Sequence, residues 1–391
     1  MLKKLNQKQN NHLYWFGMRE SEVESCRNIF QKTITIFGNG EDNNICFREE
    51  FQKNINHNSL ENIAVIDDFF EEHTKKILEV DPKAQFCSYN QSTVYHKSKD
   101  FKQHSIYVNE QQLLKFLNNK FTCKEYFKKI VPILKHEYFK KEEIQNLDLE
   151  KSYVLQNQTG CGGEGTFLYN QSNQNEVLKC LQSESTYLVT EYAENNIPIN
   201  VHLLISQSQV IVLPASIQVI ELESNQLAYK GCDYISYQLI DRGIREKVVQ
   251  YADKIGMELQ KLGYLGVCGI DFIIFENEIY FMEINPRFQN STTLLNRGLV
   301  QSSQRTVQEW NMLCFENKEI ILEPFEVPYA SYMITNADTF AHIDKVPIEI
   351  LDDIKKDVKY EKDSYICILL YNQLISDSVS NLVSSQKKQV Y

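Results

Sequence analysis

The chain has 391 residues, 42% apolar content and a formal charge of −11 at pH 7. That balance suits a soluble globular protein of two or three domains and argues against a nucleic-acid surface. No run of eighteen apolar residues exists, so no membrane span is expected, and the opening MLKKLNQKQNNHLYWFG lacks the apolar region of a secretory signal. Ten cysteines lie scattered without a CxxC pair, which suits reduced thiols and an expected cytoplasmic location.

In chain order, His12 to Gly17 (HLYWFG) reads as a strand, residues 19–31 as a helix and Thr33 to Phe37 as a second strand. This is the order of a parallel α/β unit. Ile63 to Ile66 and Phe86 to Tyr89 would add further strands. No GxGxxG follows the first strand, so no dinucleotide site is read there. Arg19 and Glu20 stand where a ligand at the strand's carboxyl end would reach them, although solvated helix-start residues are the simpler reading. Residues 110–130 are helical, with a break near Asn118 and Asn119, and Pro132 follows. From Lys151 the texture becomes strand-rich: SYVLQNQTG, TFLYN, EVLKCL, STYLVTEYA and NVHLLIS. Residues 243–262 carry helical spacing, with Gly263 as a stop. After 320 come a strand (PYASYMIT), a charged helix (IEILDDIKKDVKY) and a strand (SYICILLY), and 380–391 reads as a frayed end.

Three segments carry chemistry. Thr159 to Thr166 (TGCGGEGT) places four glycines between two strands, so backbone N–H groups could close on a phosphate chain without interference from Cβ atoms. A flexible turn would look the same, and no Walker lysine follows. Tyr187 to Ala193 (YLVTEYA) ends in Glu191, beside strand-end backbone groups that could bind an adenine edge. The third segment, 266–289, reads GVCGIDFIIFENEIYFMEINPRFQ and sets Asp271 and Glu283 inside apolar runs. A three-residue turn at Glu276 to Glu278 would oppose Phe275 to Ile279, Ile273 to Phe281 and Asp271 to Glu283. The period of two then puts Asn285 and Arg287 on the face of Glu283. Like charges opposed across a sheet repel, and a cation between them reverses the sign. Two carboxylates and an amide oxygen suit Mg²⁺, and a guanidinium can hold phosphate oxygens bidentately. An acidic hairpin solvated at a sheet edge is the alternative, and both faces are apolar for that.

FMEINPRFQ, GIDFII, TGCGGEGTF and LVTEYA together resemble the ATP-grasp superfamily of carboxylate–amine and carboxylate–thiol ligases, which includes biotin carboxylase and D-alanine–D-alanine ligase. The resemblance covers roughly residues 115–300. It implies an α/β (α+β) fold with an N-terminal Rossmann-like parallel-sheet domain at 1–113 and an ATP-grasp domain at 114–315. A small lid subdomain at about 120–190 and a C-terminal segment, 316–391, packed on the ATP-grasp core are also expected. The cofactors implied are ATP and Mg²⁺, with Mn²⁺ as an alternative metal. Asp271, Glu283 and Asn285 look like metal ligands, and Arg287 like the residue that stabilises the transferred phosphoryl group. Gly160, Gly162, Gly163, Gly165 and Thr166 would form the flap over the triphosphate. Glu191 would accept from the adenine amino group, with Tyr192 and Ala193 beside it. Lys120 falls at the first nucleotide lysine, or is a solvated helix lysine.

Two positions depart from the family pattern. Gln156 stands where many members carry a second lysine, a loss that Lys179 in EVLKCL could offset. Pro198 stands where an acidic ribose contact is common, with Glu194 or Asn200 as substitutes. Asn290 and Ser291, with Thr292, follow the metal strand at a position that in the family is often near the carboxylate substrate. Lys230 and Arg297, with Arg242 and Arg245, are cations that could bind a second carboxylate, although a surface charge is the simpler reading of each. The activity implied is an ADP-forming ligase that joins a small-molecule carboxylate to an amine, an amino acid or peptide, without nucleic-acid or membrane partners and with a homodimer as the assembly to test for. A thioester-forming ligase, a kinase-like phosphotransferase and a non-catalytic nucleotide scaffold are the alternatives.

Overall fold

The structure, a computed structural model, describes residues 12–38, 40, 43–51, 60–160, 163–182, 185–335, 347–352 and 365–375. The chain forms two units. The first takes Met1–Gln111, Arg287–Val327 and Met333–Asn372; the second takes Gln112–Pro286, Pro328–Tyr332 and Gln373–Tyr391.

The first unit begins with β1 (Leu13–Phe16), β2 (Lys32–Thr35), β3 (Asn44–Cys46), α1 (Phe47–Phe51), α2 (Leu60–Val80), β4 (Gln85–Ser88) and α3 (Lys99–His104). The strands pair parallel in the order β3-β2-β1-β4. Every residue of β1 is buried, as a parallel sheet covered on both faces requires. Phe16 is packed edge-on by Phe70, Phe86 and Phe101, with ring centroids 5.5, 5.3 and 4.8 Å away. Ile63 to Ile66, expected as a strand, lies in α2 instead. Ile66, Phe69, Phe70, His73 and Ile77 are buried at helical spacing, and that longer period outweighs the local apolar run. Residues 19–31, expected as one helix, form two 3-10 stretches, Glu20–Glu22 and Glu24–Ile29. The N–H groups of Ile36 and Phe37 both donate to the carbonyl of Met18, and Arg19 bridges to Phe37. Pairing therefore continues past Gly17, and the segment turns back through tight, short helices.

The second unit continues with α4 (Gln111–Asn118) and α5 (Lys120–Phe127). The expected break between them is an N-cap: Asn119 Oδ1 accepts from the N–H groups of Phe121 and Thr122 at 3.0 and 3.2 Å. Then follow β5 (His136–Lys140), α6 (Lys141–Ile144), β6 (Tyr153–Gln156), β7 (Thr166–Tyr169), α7 (Gln174–Cys180), β8 (Thr186–Glu191), β9 (Ile197–Ile205) and β10 (Val210–Val212). The unit closes with β11 (Ser216–Glu223), β12 (Gln226–Asp233), α8 (Tyr234–Tyr237), α9 (Arg242–Lys261), β13 (Gly266–Phe275) and β14 (Glu278–Asn285). Its sheet is antiparallel, in the order β14-β13-β9-β11-β12-β7-β6-β8-β5, with β10 on β9. EVLKCL, expected as a strand, falls largely in α7. Val177 and Leu181, four residues apart, enter a core with Leu155, Phe167 and Tyr187, which leaves Lys179 exposed.

The remaining elements are α10 (Thr292–Gln301), α11 (Val307–Phe315), β15 (Ala330–Thr335), β16 (Glu349–Leu351) and β17 (Tyr365–Tyr371). Ala330 to Tyr332 pair with β12, and a Cβ on Gly231 would lie 1.9 Å from the Ser331 carbonyl. The charged helix expected from 348 begins as a strand, because Glu349–Leu351 pairs with Ile368 to Leu370 of β17. Residues 353–364 and 380–391 lie outside the described residues. The segment expected to pack on the ATP-grasp core falls, over Met333–Asn372, in the first unit. Among the described residues no helix is long and apolar enough to cross a membrane.

Candidate functional site

The β13–β14 hairpin turns on two residues rather than three. Glu276 and Asn277 both take positive φ, 50° and 61°, the signature of a type I′ turn. Phe275 therefore opposes Glu278, and Ile273 opposes Tyr280, one step from the expected register. A bulge between Asp271 and Phe272 inserts Met282 on the other strand and restores the pairing of Asp271 with Glu283. The acids meet as expected, by a route the local pattern does not display.

Their charges are met by four side chains. Asp271 Oδ1 accepts from Asn200 Nδ2 at 2.7 Å and Gln218 Nε2 at 3.2 Å, and Oδ2 accepts from Asn285 Nδ2 at 2.9 Å. The same amide lies 3.5 Å from Glu283 Oε1, and Lys120 Nζ stands 3.0 Å from Glu283 Oε2. One turn further along α5, Lys124 is fully buried with Nζ 3.4 Å from Gln156 Oε1. Burial, then the neighbouring Lys120, pushes its ammonium down to about 8, against the pull of Glu283. Lys124 is the residue the sequence reading missed. Its signal was the i,i+4 spacing from Lys120, which puts both ammoniums on one helix face. It, and not the exposed Lys179, is the cation beside Gln156. Asn200 is directed at Asp271.

Two carboxylates and an amide are a hard-oxygen donor set that fits Mg²⁺, which keeps waters and takes phosphate oxygens beside one or two carboxylates. Among the described residues no three His, Cys, Asp or Glu side chains gather as a cage. The glycine loop joins β6 to β7, with Asn157 N–H donating to the Gly165 carbonyl at 2.9 Å and Thr166 N–H to that of Gly163 at 3.0 Å. Gly163 has φ 96°, and a Cβ there would lie 2.1 Å from the Leu227 carbonyl. Gly160 and Gly165 also take positive φ, while Cys161 and Gly162 lie outside the described residues. A cavity of about 960 Å³ beside the loop is walled by Phe121, Glu125, Tyr138, Gln158 and Glu164 among others, and by neither acid of the hairpin.

Glu191 ends β8 exposed, paired with Lys151 at 2.8 Å. The Tyr192 N–H donates to the Ser152 carbonyl, and the Ala193 carbonyl accepts from Asn196 Nδ2, each at 2.8 Å. Glu194 is exposed. Lys230 is buried against Glu223 at 2.5 Å. Arg242 pairs with Glu246, and Arg245 donates to Gln238 and the Ile240 carbonyl. In the first unit, Arg287 donates to the Phe288 carbonyl at 3.0 Å and lies over the Tyr89 ring at 6.0 Å. Arg297 bridges Glu24 and Glu349 at 3.0 and 2.6 Å. Asn290 Oδ1 accepts from Arg19 Nη1 at 2.6 Å and from the Tyr89 hydroxyl at 3.4 Å. Ser291 is buried at the start of α10.

Residues 117–291 match the family model described as the ATP-grasp domain. The arginine-specific large chain of carbamoyl phosphate synthase from Geobacillus stearothermophilus is 27% identical over 158 residues, 38% of this chain and 13% of that relative. The match thus spans a small part of the relative's length. Among solved structures, the biotin carboxylase domain of Hydrogenobacter thermophilus 2-oxoglutarate carboxylase, in complex with MgADP, ADP and bicarbonate, superposes with a TM-score of 0.64 at 15% identity, over 95% of this chain and 89% of that one. Carboxyaminoimidazole ribonucleotide synthase from Aspergillus clavatus, complexed with ATP, does so with a TM-score of 0.60 at 14% identity, over 95% and 96%. At such identities the likeness is one of fold.

Proposed function

We propose, from the match of residues 117–291 to the ATP-grasp domain model, that the chain is an ATP-dependent ligase. A substrate carboxylate oxygen attacks the γ-phosphorus of ATP, and the bond to the β-phosphate oxygen breaks, giving an acyl phosphate and ADP. An amine nitrogen then attacks the acyl carbon, phosphate leaves with the bonding pair, and the amine's proton passes to solvent. An amino acid or peptide is the substrate class proposed.

In this reading Asp271, Glu283 and Asn285 would hold Mg²⁺, whose contribution is to neutralise phosphate oxygens. Lys120 and Lys124 add two ammoniums on one face of α5, and Gln156 offers an amide where a third charge would otherwise stand. Arg287 takes the transferred phosphoryl group. The backbone N–H groups of the loop from Gly160 to Thr166 close over the triphosphate and exclude water, which would hydrolyse an acyl phosphate. No protein nucleophile is needed, since phosphoryl transfer is catalysed by positioning and charge. The observation that carries the reading is the facing pair Asp271 and Glu283, met by three amides and one ammonium.

The test incubates the protein with Mg-ATP and a pool of amino acids, small carboxylates and amines, and follows phosphate and products together. Free phosphate with a new amide is the expected result. A new thioester would move the acceptor to a thiol, and ADP with a stable phosphorylated product would make it a phosphotransferase. Tight ATP binding without turnover across the pool would leave a scaffold and overturn the ligase.

A further inference from the structure

The first unit holds a buried cation that the chemistry above does not use. Arg19 follows β1 and Tyr89 follows β4. The chain runs outward from β1 to β2 and β3, then returns to lay β4 on the other side, so the strand order reverses between β1 and β4. In open parallel sheets, ligands bind outside the carboxyl ends of the strands at such a reversal.

The Arg19 side chain is 7% exposed, stacks 4.7 Å over the Tyr365 ring, and donates from Nη1 to Asn290. Nη2 reaches Met333 Sδ at 3.6 Å, and Nε has no partner. The carboxylates around it are occupied or distant. Glu22 Oε1 stands 3.8 Å away, beyond hydrogen-bond reach, and its Oε2 accepts from the Met18 N–H at 3.1 Å. Asp352 accepts from the Ser21 N–H, the Ser21 hydroxyl and the Tyr365 hydroxyl at 2.9, 2.7 and 2.8 Å. Glu20 is paired with Arg27 at 2.6 Å. Burial pushes the Glu22 carboxyl up to about 8 against the pull of Arg19, which makes it a weakened counter-ion for the guanidinium. A buried charge without a close counter-ion is costly, and an oxyanion placed against it removes that cost. Asn290 is partly exposed, so the cluster meets solvent on that side. With its carbonyl oxygen held by Arg19, its amide NH₂ remains as a donor.

We propose that Arg19, Tyr89 and Asn290 form an oxyanion subsite that holds a carboxylate or phosphate group of the substrate away from the reacting carboxylate. The proposal rests on the ligase reading for its role, and on the first unit alone for its existence. A planar guanidinium fork beside an amide and a hydroxyl matches the oxygens of either group.

The experiment titrates succinate and, separately, inorganic phosphate into the full chain at constant ionic strength, with the nucleotide site saturated by Mg²⁺ and β,γ-methylene-ATP. One anion should bind saturably, once per chain, and which one identifies the group. Arg19→Lys, which keeps the charge and loses the fork, should weaken it about tenfold. Asn290→Ala and Tyr89→Phe, which leave the buried cation in place, should weaken it about fivefold each. Absence of saturable binding for both anions, or unchanged affinity in Arg19→Lys and Asn290→Ala, overturns the subsite. Nucleotide binding is read separately. If the methylene analogue does not bind while the anion does, the ligase reading fails and the subsite stands.

Discussion

Glu283 sits between a buried ammonium and an amide, so changes there separate charge from packing. Glu283→Gln and Asn285→Ala should each lower turnover about a hundredfold or more, with the midpoint of thermal unfolding within a few degrees of wild type. Steady-state phosphate release and a melting curve check both halves. Lys124→Met should weaken Mg-ATP binding about tenfold, because it removes a desolvated cation and not a surface one. The pH dependence follows: wild-type affinity for Mg-ATP should fall as pH rises through about 8, where burial places the Lys124 ammonium. Glu22 gives a second pH signature. Burial pushes its carboxyl up to about 8 in the folded chain from an ordinary 4.5. Between those values the folded state binds the extra proton, so stability should drop as pH rises from 4.5 to 8 and level off above. Glu22→Gln should flatten that slope in denaturant titrations. Asp271 and Glu283 were legible because a charge inside an apolar run demands an explanation. Lys124 was not, because its meaning depends on which face of α5 meets β6.

At the scale of elements, the hairpin turn is the clearest target. Glu276 and Asn277 both occupy the left-handed region, where Asn-Gly is the favoured pair. Glu276→Asn with Asn277→Gly should stabilise the chain by about 0.5–1 kcal/mol, read as a shift in denaturation midpoint at unchanged slope. A loss of stability would mean that the turn is not type I′. The sequence shows turn residues here but not their number, since a three-residue loop and a two-residue turn followed by a bulge oppose the same two acids. The bulge at Met282 depends on how β14 packs, which no local period records. The same limit explains EVLKCL: a six-residue apolar run fits a strand or a helix face, and burial of Val177 and Leu181 four residues apart decides it.

For the whole molecule, the order of the glycine loop, the Glu191 strand and the acidic hairpin was readable because each motif is contiguous. The makeup of the first unit was not, since it gathers Arg287–Val327 and Met333–Asn372 with the N-terminal residues through contacts hundreds of positions apart. Arg48 is one such contact: fully buried, it donates to the carbonyls of Asp352, Tyr365 and Ile366 and lies over the Phe37 ring. Arg48→Met would strand three carbonyls, two of them buried, and should lower stability by about 2–4 kcal/mol, measured by chemical denaturation. The most direct test of the central claim is calorimetric titration of ATP into the full chain with Mg²⁺ and again with EDTA, for wild type and Glu283→Gln. One site per chain is expected, with affinity falling about tenfold or more when Mg²⁺ is removed or when Glu283 is neutralised. No saturable binding, or binding indifferent to both Mg²⁺ and Glu283, would contradict the account.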